Sequence, residues 1–433
     1  MISSRWVASN QKYSRLQGSL MKTDDGVLTG LKVIDCATYV AGPAAATILS
    51  DFGADVIKIE RPPDGDLWRT FSSVPGYPST DFHYTWLLTS RNKRSIVLDL
   101  TKPAGRDALL KLVANADVFV TNFQLSLLAK FQLTWDDLSR VNPRLVYALI
   151  TGYGEKGADA DAPAFDGLAY WARSGLMTSV TGADGTPAGA RPAMGDHPTA
   201  ATLFGAIMLG LYRRERTGKG SKVSTSLMAA GAYANSVDIQ AKLCAAHFPE
   251  RKAGARPLNP LIAACPSSDQ HAMIIALLDP EREFVRLCQA LDEPELATSP
   301  LFANHEARQE NAAELHAILL SQFESKPLSH WREKFRTYDI KWSPLPTLDE
   351  AVRDPQMRDC GAITNFEYPG HGVIETVNSP IFVADSEKQK PRTPPDYGAH
   401  TREVLKEVGY SAAEIDRLIQ SGAAAAKEER RGN

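Results

Sequence analysis

The stretch GLKVIDCATYVAGPAAATILSDFGADVIKIERPPDGD, residues 30–66, decides the fold class. LKVID (31–35) is a short run of branched apolar side chains and reads as a buried strand. Gly42-Pro43 then opens a helix that the small apolar residues carry to about Phe52, since proline is tolerated in a first turn. ADVIKIE (54–60) is a second strand, halted by the turn Pro62-Pro63-Asp64-Gly65. Strand, helix and strand in so short a span form a βαβ unit, whose two strands must run parallel. The first loop lacks GxGxxG, so nothing there marks a dinucleotide site. Glu60 ends the second strand where such folds often place an acid near a ribose, although a solvated strand end accounts for a charge there as well.

The same alternation runs outward from this unit. RSIVLDL (94–100), ADVFVTNF (116–123) and RLVYALITGYG (144–154) read as strands, with helices at 103–114 and near 134–140 between them. The expectation is an α/β protein with a Rossmann-like, mostly parallel sheet and helices on both faces. A ligand would lie beyond the carboxyl ends of the strands, where Thr38–Pro43, Arg61, Leu98–Thr101, Asn122–Phe123 and Gly152–Gly154 fall. A long apolar helix at 198–215 carries Arg213, Arg214 and Arg216 near its end, where cations suit the helix dipole. The GKGS at 218–221 follows a helix rather than a strand and has no glycine at phosphate-loop spacing before it, so it is not a phosphate loop. A strand (KVSTSL) and a helix to about Cys244 come next. From about 245 the texture turns to Pro, Arg and Ala, then a strand HAMIIALL and helices over 281–336, which suggests a smaller α+β domain. The Pro-punctuated SPLPT (343–347) leads back to DPQM (354–357) and a last strand-and-helix segment, and no internal repeat is evident.

Composition narrows the function classes. The 433 residues are 43% hydrophobic and 23% charged, with a net charge of -3, so no basic field invites nucleic acid. Five scattered cysteines (Cys36, Cys244, Cys265, Cys288, Cys360) include no CxxC, which argues for a reducing compartment and against a disulfide framework. Nine dispersed histidines show no HxxxH or HExxH spacing, so no metal is expected. No apolar run is long enough to span a bilayer, so no membrane partner is expected. Residues 1–23 hold Arg5, Lys12, Arg15 and Lys22 but no acid, and read as a flexible extension with Met21 as an alternative start. The expected location is cytoplasmic, or an organelle matrix if residues 1–23 act as a transit peptide.

Two aspartates stand out beside this sheet. Asp196, in RPAMGDHPTAATLFGAIMLGLY (191–212), follows a glycine and precedes a long apolar helix, and Asp166, in DAPAFDGLAYWARSGLM (161–177), also precedes a helix. Aspartate is a favoured helix N-cap, so capping explains both as readily as chemistry does. No GxSxG and no Ser, His, Asp order point to a serine hydrolase. The residues themselves stop at an α/β enzyme with carboxylate chemistry.

Several motifs in fixed order resemble the class III CoA-transferases, the CaiB/BaiF family that includes formyl-CoA transferase and α-methylacyl-CoA racemase. They are GLKVIDCATYVAGP (30–43), DFGADVIKIERPPDGD (51–66), RNKRSIVLDL (91–100), ADVFVTNF (116–123), NPRLVYALITGYGEKG (142–157), MGDHPTAATLFGAIMLGLYRRERTGKG (194–220), DPQMRDCG (354–361) and YGAHTREVLKEVGYSAAEI (397–415). The likeness runs from about residue 28 to 421. It implies that Asp196 is a covalent nucleophile, with Asp166 as a supporting group. CoA moves from an acyl-CoA thioester to a free carboxylic acid by way of an aspartyl-CoA thioester. No cofactor is tightly bound, coenzyme A being both substrate and covalent intermediate. The resemblance also implies a CoA site at Arg61, Leu98, Thr101, Asn122, Phe123 and Lys130, and a substrate pocket at Tyr39, Val40 and Phe165. It implies an interlocked homodimer as well. Its large CoA-binding domain would be built from 24–225 plus 350–421, with a small domain at 226–349 and a flexible tail at 422–433.

Two departures bear on the reaction. Formyl-CoA transferase has a glutamine where this chain has Val40, and a glycine-rich lid that has no counterpart near 250–265, which argues against oxalate. Racemases carry a His-Asp pair where this chain reads Phe165-Asp166, so one of the two bases for α-proton transfer is missing. The transferase is preferred. A racemase or epimerase of the same fold and a non-catalytic CoA-binding subunit of a heteromeric transferase are the alternatives.

Overall fold

In the computed structural model, residues 26–75, 77–80, 83–180, 186–248 and 259–427 are described. The extension 1–23 lies outside them. The first βαβ unit is β1 (Lys32–Cys36), α1 (Ala41–Asp51) and β2 (Asp55–Glu60). The alternation continues through β3 (Arg94–Leu98), α2 (Pro103–Ala114), β4 (Val118–Thr121), α3 (Leu125–Phe131), α4 (Trp135–Val141) and β5 (Val146–Thr151). A 22-residue helix, α5 (Asp196–Thr217), ends at Gly218 in the left-handed region and feeds β6 (Ser221–Ser226). Two short helices follow, α6 (Leu227–Ala234) and α7 (Ser236–Leu243).

Strand order in this sheet is β3-β2-β1-β4-β5-β6, all parallel. That is the doubly wound order, in which the chain reverses direction across the sheet between β1 and β4 and opens a crevice at their carboxyl ends. β4 and β5 are buried along their whole length, as a sheet covered on both faces requires, while the edge strand β6 is polar and leaves alternate residues exposed. Alternate residues separate cleanly: Val33, Val56, Val118 and Ala148 enter one core with α1 and α5, while Ile34, Ile57, Phe119 and Tyr147 enter the other with α2.

The smaller unit is built on an antiparallel sheet of β7 (Ile262–Pro266), β8 (Ala272–Ala276) and β9 (Trp342–Leu345), in that order. Helices α8 (Pro280–Ala290), α9 (Ala312–Glu324) and α10 (Leu328–Thr337) close its own core around Phe284, Phe323, Trp331 and Phe335. This unit runs from Phe248 to Gly361, so its bounds differ from the expected 226–349. Residues 226–247 belong to the larger unit because Gly231 on α6 lies so close to the Tyr170 carbonyl that a Cβ would sit 2.1 Å from its oxygen.

From Ala362 the chain rejoins the larger unit with a hairpin, β10 (Ile363–Tyr368) and β11 (Gly372–Val377), then α11 (Thr401–Glu407) and α12 (Ala412–Gln420). The tail expected to be flexible from 422 is ordered at its start. Ala424–Ala425 form β12, antiparallel to β3, and Ala423 and Ala424 are buried. Small side chains let this strand lie against the sheet edge, which supplies backbone partners that composition alone does not reveal. Among the described residues no helix is long and apolar enough to cross a membrane, and no group of three or more His, Cys, Asp or Glu side chains could hold a metal.

Charges are buried at the carboxyl ends of β1 and β2. Lys58 on β2 is fully buried, pairs with Asp66 at 2.8 Å and Asp35 at 3.8 Å, and donates to the Ala37 carbonyl. Lys93 is buried too, and donates to Asp35 at 2.8 Å and to the carbonyls of Pro43 at 2.7 Å and Thr89 at 2.6 Å. Burial alone would depress both lysines. For Lys58, Asp35 and Asp66 outweigh it and hold the ammonium above its ordinary range. For Lys93, burial prevails and the pKa falls to about 8 despite Asp35. Removing one partner from such a cluster strands a charge in the interior. Lys58→Met is expected to destabilise the larger unit by about 3–5 kcal/mol. Adding Asp66→Asn to it should recover part of that loss, which a double-mutant cycle of urea midpoints will measure.

Candidate active site

The crevice predicted by the strand order is present. A cavity of about 560 Å³ opens beyond the carboxyl ends of β1 to β4, a size usual for small-molecule sites. Arg61, Leu98, Thr101, Asn122 and Phe123 line it, as do Tyr39, Asp99, Leu127 and Phe131. Lys130 is not on its wall: that residue is exposed near the end of α3, and Leu127 and Phe131, one helical turn apart, present the inward face. That spacing is the signal in the sequence for the two apolar residues.

Asn122 does more than line the cavity. Its Oδ1 accepts from the Thr38 N–H at 2.9 Å, and its Nδ2 donates to the Thr38 carbonyl at 2.8 Å, clasping the β1–α1 loop to the end of β4. Glu60 also reaches the cavity wall, but its carboxylate is engaged elsewhere. It accepts from Arg69 at 2.6 and 2.7 Å, from the Ser95 hydroxyl at 2.5 Å and from the Asp66 N–H at 3.1 Å. The structure therefore gives Glu60 a supporting place under the loop, which its position at a strand end did not disclose.

Tyr39 sits in that loop at φ 61°, a left-handed conformation unusual for a residue with a side chain. Its N–H donates to Asp66 Oδ1 at 3.1 Å. Its ring meets Phe165 edge-on, 5.7 Å between centroids. Val40, expected in the substrate pocket, is buried in the hydrophobic core beside Ala37 and Ala41 and does not line the cavity. The reason is that the left-handed turn at Tyr39 sends one side chain out to the crevice and the next inward.

The two aspartates come together through the backbone. Asp166 is buried and caps a π-helical turn, Gly167–Ala172. Its Oδ1 accepts from the Gly167 N–H at 2.8 Å and its Oδ2 from the Gly195 N–H at 2.9 Å. Gly195 is the N-cap of α5 and Asp196 its first residue, so Asp196 is not the cap that its sequence context suggests. A glycine is needed before it, because a Cβ at 195 would lie 2.5 Å from Cγ of Tyr170. The π-turn brings the Tyr170 ring to this contact, a local irregularity of a kind frequent at functional sites.

Asp196 is half-buried, and among the described residues its carboxylate has no hydrogen bond or ion pair. Burial first, and then the adjacent Asp166 carboxylate, push its pKa up to about 7. Loss of water and repulsion between like charges therefore exceed the attraction of the helix N-terminus for the carboxylate. Two carboxylates beside one glycine have opposite surroundings: each Asp166 oxygen accepts from an N–H, while Asp196 has no such donor among the described residues. A carboxylate raised in this way is more basic, and so a stronger nucleophile when ionised, than an ordinary aspartate.

The profile of CoA-transferase family III matches residues 28–401. The chain is 32% identical over 403 residues to the cinnamoyl-CoA:phenyllactate CoA-transferase of Clostridium sporogenes, covering 92% of this chain and 97% of that one. It is 31% identical over 399 residues to the human succinyl-CoA:glutarate CoA-transferase, covering 91% and 89%. A crystal structure of a CAIB/BAIF family protein from Brucella suis superimposes with a TM-score of 0.76 at 29% identity, covering 89% of this chain and all of that one. Matched along almost its whole length in both sequence and fold, the chain belongs to CoA-transferase family III and is an enzyme of that class.

Proposed function

We propose that this transferase moves CoA through covalent chemistry at Asp196. The observation that supports it is the pairing of an unpartnered Asp196 carboxylate, its pKa raised to about 7, with a fully hydrogen-bonded Asp166 across Gly195. An oxygen of Asp196 attacks the carbonyl carbon of the acyl-CoA thioester. The carbon–sulfur bond breaks, CoA leaves as the thiolate, and a mixed anhydride remains. The thiolate attacks the aspartyl carbonyl, breaking its bond to the bridging oxygen. The donor acid departs as a carboxylate and Asp196 becomes a thioester. An acceptor carboxylate then attacks that thioester carbonyl to form a second anhydride. The thiolate takes the acceptor's acyl group, and Asp196 returns as a carboxylate. Each step exchanges bonds of similar energy, so no nucleotide triphosphate is consumed.

The surroundings suit these steps. Acylation removes the negative charge from Asp196, which relieves its repulsion from Asp166 and the cost of its burial. Asp166 acts by position: its charge and its hold on Gly195 set the basicity and placement of the nucleophile. Arg61 at the cavity mouth suits a CoA phosphate, and Leu98, Thr101, Asn122 and Phe123 would form the walls of that site. Lys130 could reach a phosphate only from outside the cavity.

Asp196→Asn keeps the shape and loses the nucleophile. Turnover is expected to fall to background, and rapid-quench mass spectrometry should find CoA on Asp196 of the parent protein and none on the variant. An active Asn variant, or an adduct on Asp166, would reject the assignment. The pH dependence has a definite sign. Only the carboxylate attacks, so kcat/KM should fall about tenfold per pH unit below roughly pH 7. Asp166→Asn removes the like charge and should move this limb to lower pH. Stability runs the other way. The folded chain binds the Asp196 proton more tightly than the unfolded chain, from the ordinary value of 3.8 up to about 7, so ionisation costs stability above that window. Asp196→Asn should therefore raise the unfolding midpoint well above pH 7 and leave it unchanged below pH 4.

We also propose a homodimer. Leu209 and Tyr212 on α5, Tyr233 on α6, and Val237 and Leu243 on α7 are 62% to 83% exposed, an unusual display of large apolar side chains on three successive helices. An obligate interface of more than about 2,000 Å² would cover them. Light scattering should still show a dimer at nanomolar concentration, and Val237→Glu should weaken it. A folded, active monomer on dilution would contradict this assembly.

A further inference from the structure

A row of aromatic rings leads from the cavity wall to the residue beside Asp166. The rings of Trp68 and Phe71 lie 4.4 Å apart, those of Tyr39 and Trp68 6.5 Å, and Phe165 meets Tyr39 at 5.7 Å with an interplanar angle of 84°. Tyr39 is held in its left-handed conformation by Asp66, which the buried Lys58 in turn anchors. Backbone strain kept in place by surrounding structure is characteristic of sites where a side chain must be aimed.

The outer end of this row is open. Phe165 is 59% exposed, and Leu168 and Met194 are 54% and 53% exposed. All three lie within two residues of the hydrogen bond between Asp166 and Gly195 that seats Asp196. Large apolar side chains left open on the segments that carry Asp166 and Asp196 favour a partner that is itself apolar. The electrostatics agree. Burial and the Asp166 carboxylate both raise the Asp196 pKa. A substrate with a second carboxylate would bring another negative charge against open apolar side chains and beside two carboxylates already present.

Resting on the transfer reaction proposed above, we infer that the acid exchanged at Asp196 is a monocarboxylate ending in a bulky apolar group, aryl or branched alkyl, and that Phe165 is the residue that selects it. The carboxyl carbon reacts at Asp196 while the tail lies along Phe165 and Tyr39. Covering one such group in a fitted pocket favours it over a one-carbon tail by roughly 10- to 200-fold.

The first half-reaction tests this without any acceptor. The full chain is mixed separately with 3-phenylpropanoyl-CoA, 4-methylpentanoyl-CoA, acetyl-CoA and glutaryl-CoA, and formation of the CoA adduct on Asp196 is followed by rapid-quench mass spectrometry. The two bulky apolar donors should react with an apparent second-order constant roughly 10- to 100-fold above those of acetyl-CoA and glutaryl-CoA. Phe165→Ala should narrow the ratio of phenylpropanoyl to acetyl by about tenfold. Phe165→Leu should keep the preference for 4-methylpentanoyl and weaken that for the aryl donor. An adduct on Asp196 that forms fastest from glutaryl-CoA overturns this inference and leaves the transfer reaction standing. Absence of an adduct from all four donors overturns the transfer reaction and the inference with it. A ratio unchanged in both Phe165 variants removes Phe165 from the selecting role.

Discussion

The β1–α1 loop is the part of this protein on which its chemistry rests, and buried charges hold it. Lys58 takes the Ala37 carbonyl, Asn122 both polar groups of Thr38, Asp66 the Tyr39 N–H and Lys93 the Pro43 carbonyl. A loop between a parallel strand and its helix has few backbone partners of its own. Here each orphaned group receives a side chain from a different strand or connection. The arrangement is a poor route to stability, since an apolar cluster would avoid the desolvation of four charged groups. Its return is geometry: a tyrosine fixed in a strained conformation at the edge of the cavity.

The same division of labour sets the two aspartates apart. Both oxygens of Asp166 accept from N–H groups, and Asp196, one residue past the second of these, has no such donor among the described residues. Identical side chains thereby meet different surroundings, the general means by which enzymes assign roles to paired carboxylates. The close approach of Gly195 to the Tyr170 ring makes this spacing possible.

Much of this was legible in the sequence, and the failures have physical causes. The first five strands of the parallel sheet lie in largely apolar runs punctuated by Gly and Pro, so their type and the location of the crevice follow from local pattern and a connection rule. The Gly-Asp before α5 could be singled out, but not distinguished from a cap, because capping and catalysis ask for the same residue at nearly the same place. Glu60 and Lys58 were opaque for a different reason: a charge in a strand looks solvated until its distant partners, Arg69 and Ser95 for one and Asp35 and Asp66 for the other, are seen. Val40 and Lys130 were misplaced because adjacency in the chain says little about direction where a backbone turns left-handed or a helix rotates its face.

The closing of the sheet at β3 has a consequence for how the protein is made. The outer edge of β3 is satisfied entirely from the far end of the chain. The Ser95 carbonyl accepts from His400, the Val97 N–H donates to the Thr401 hydroxyl, and Ala424 pairs with Leu98. As the ribosome releases the chain from its beginning, the first six strands emerge long before these partners exist. Through most of synthesis β3 therefore presents a bare apolar edge, the kind of surface that recruits other nascent chains. The smaller unit, translated in between, lengthens that interval by more than a hundred residues. Capture by a chaperone would protect an edge that the finished molecule no longer shows.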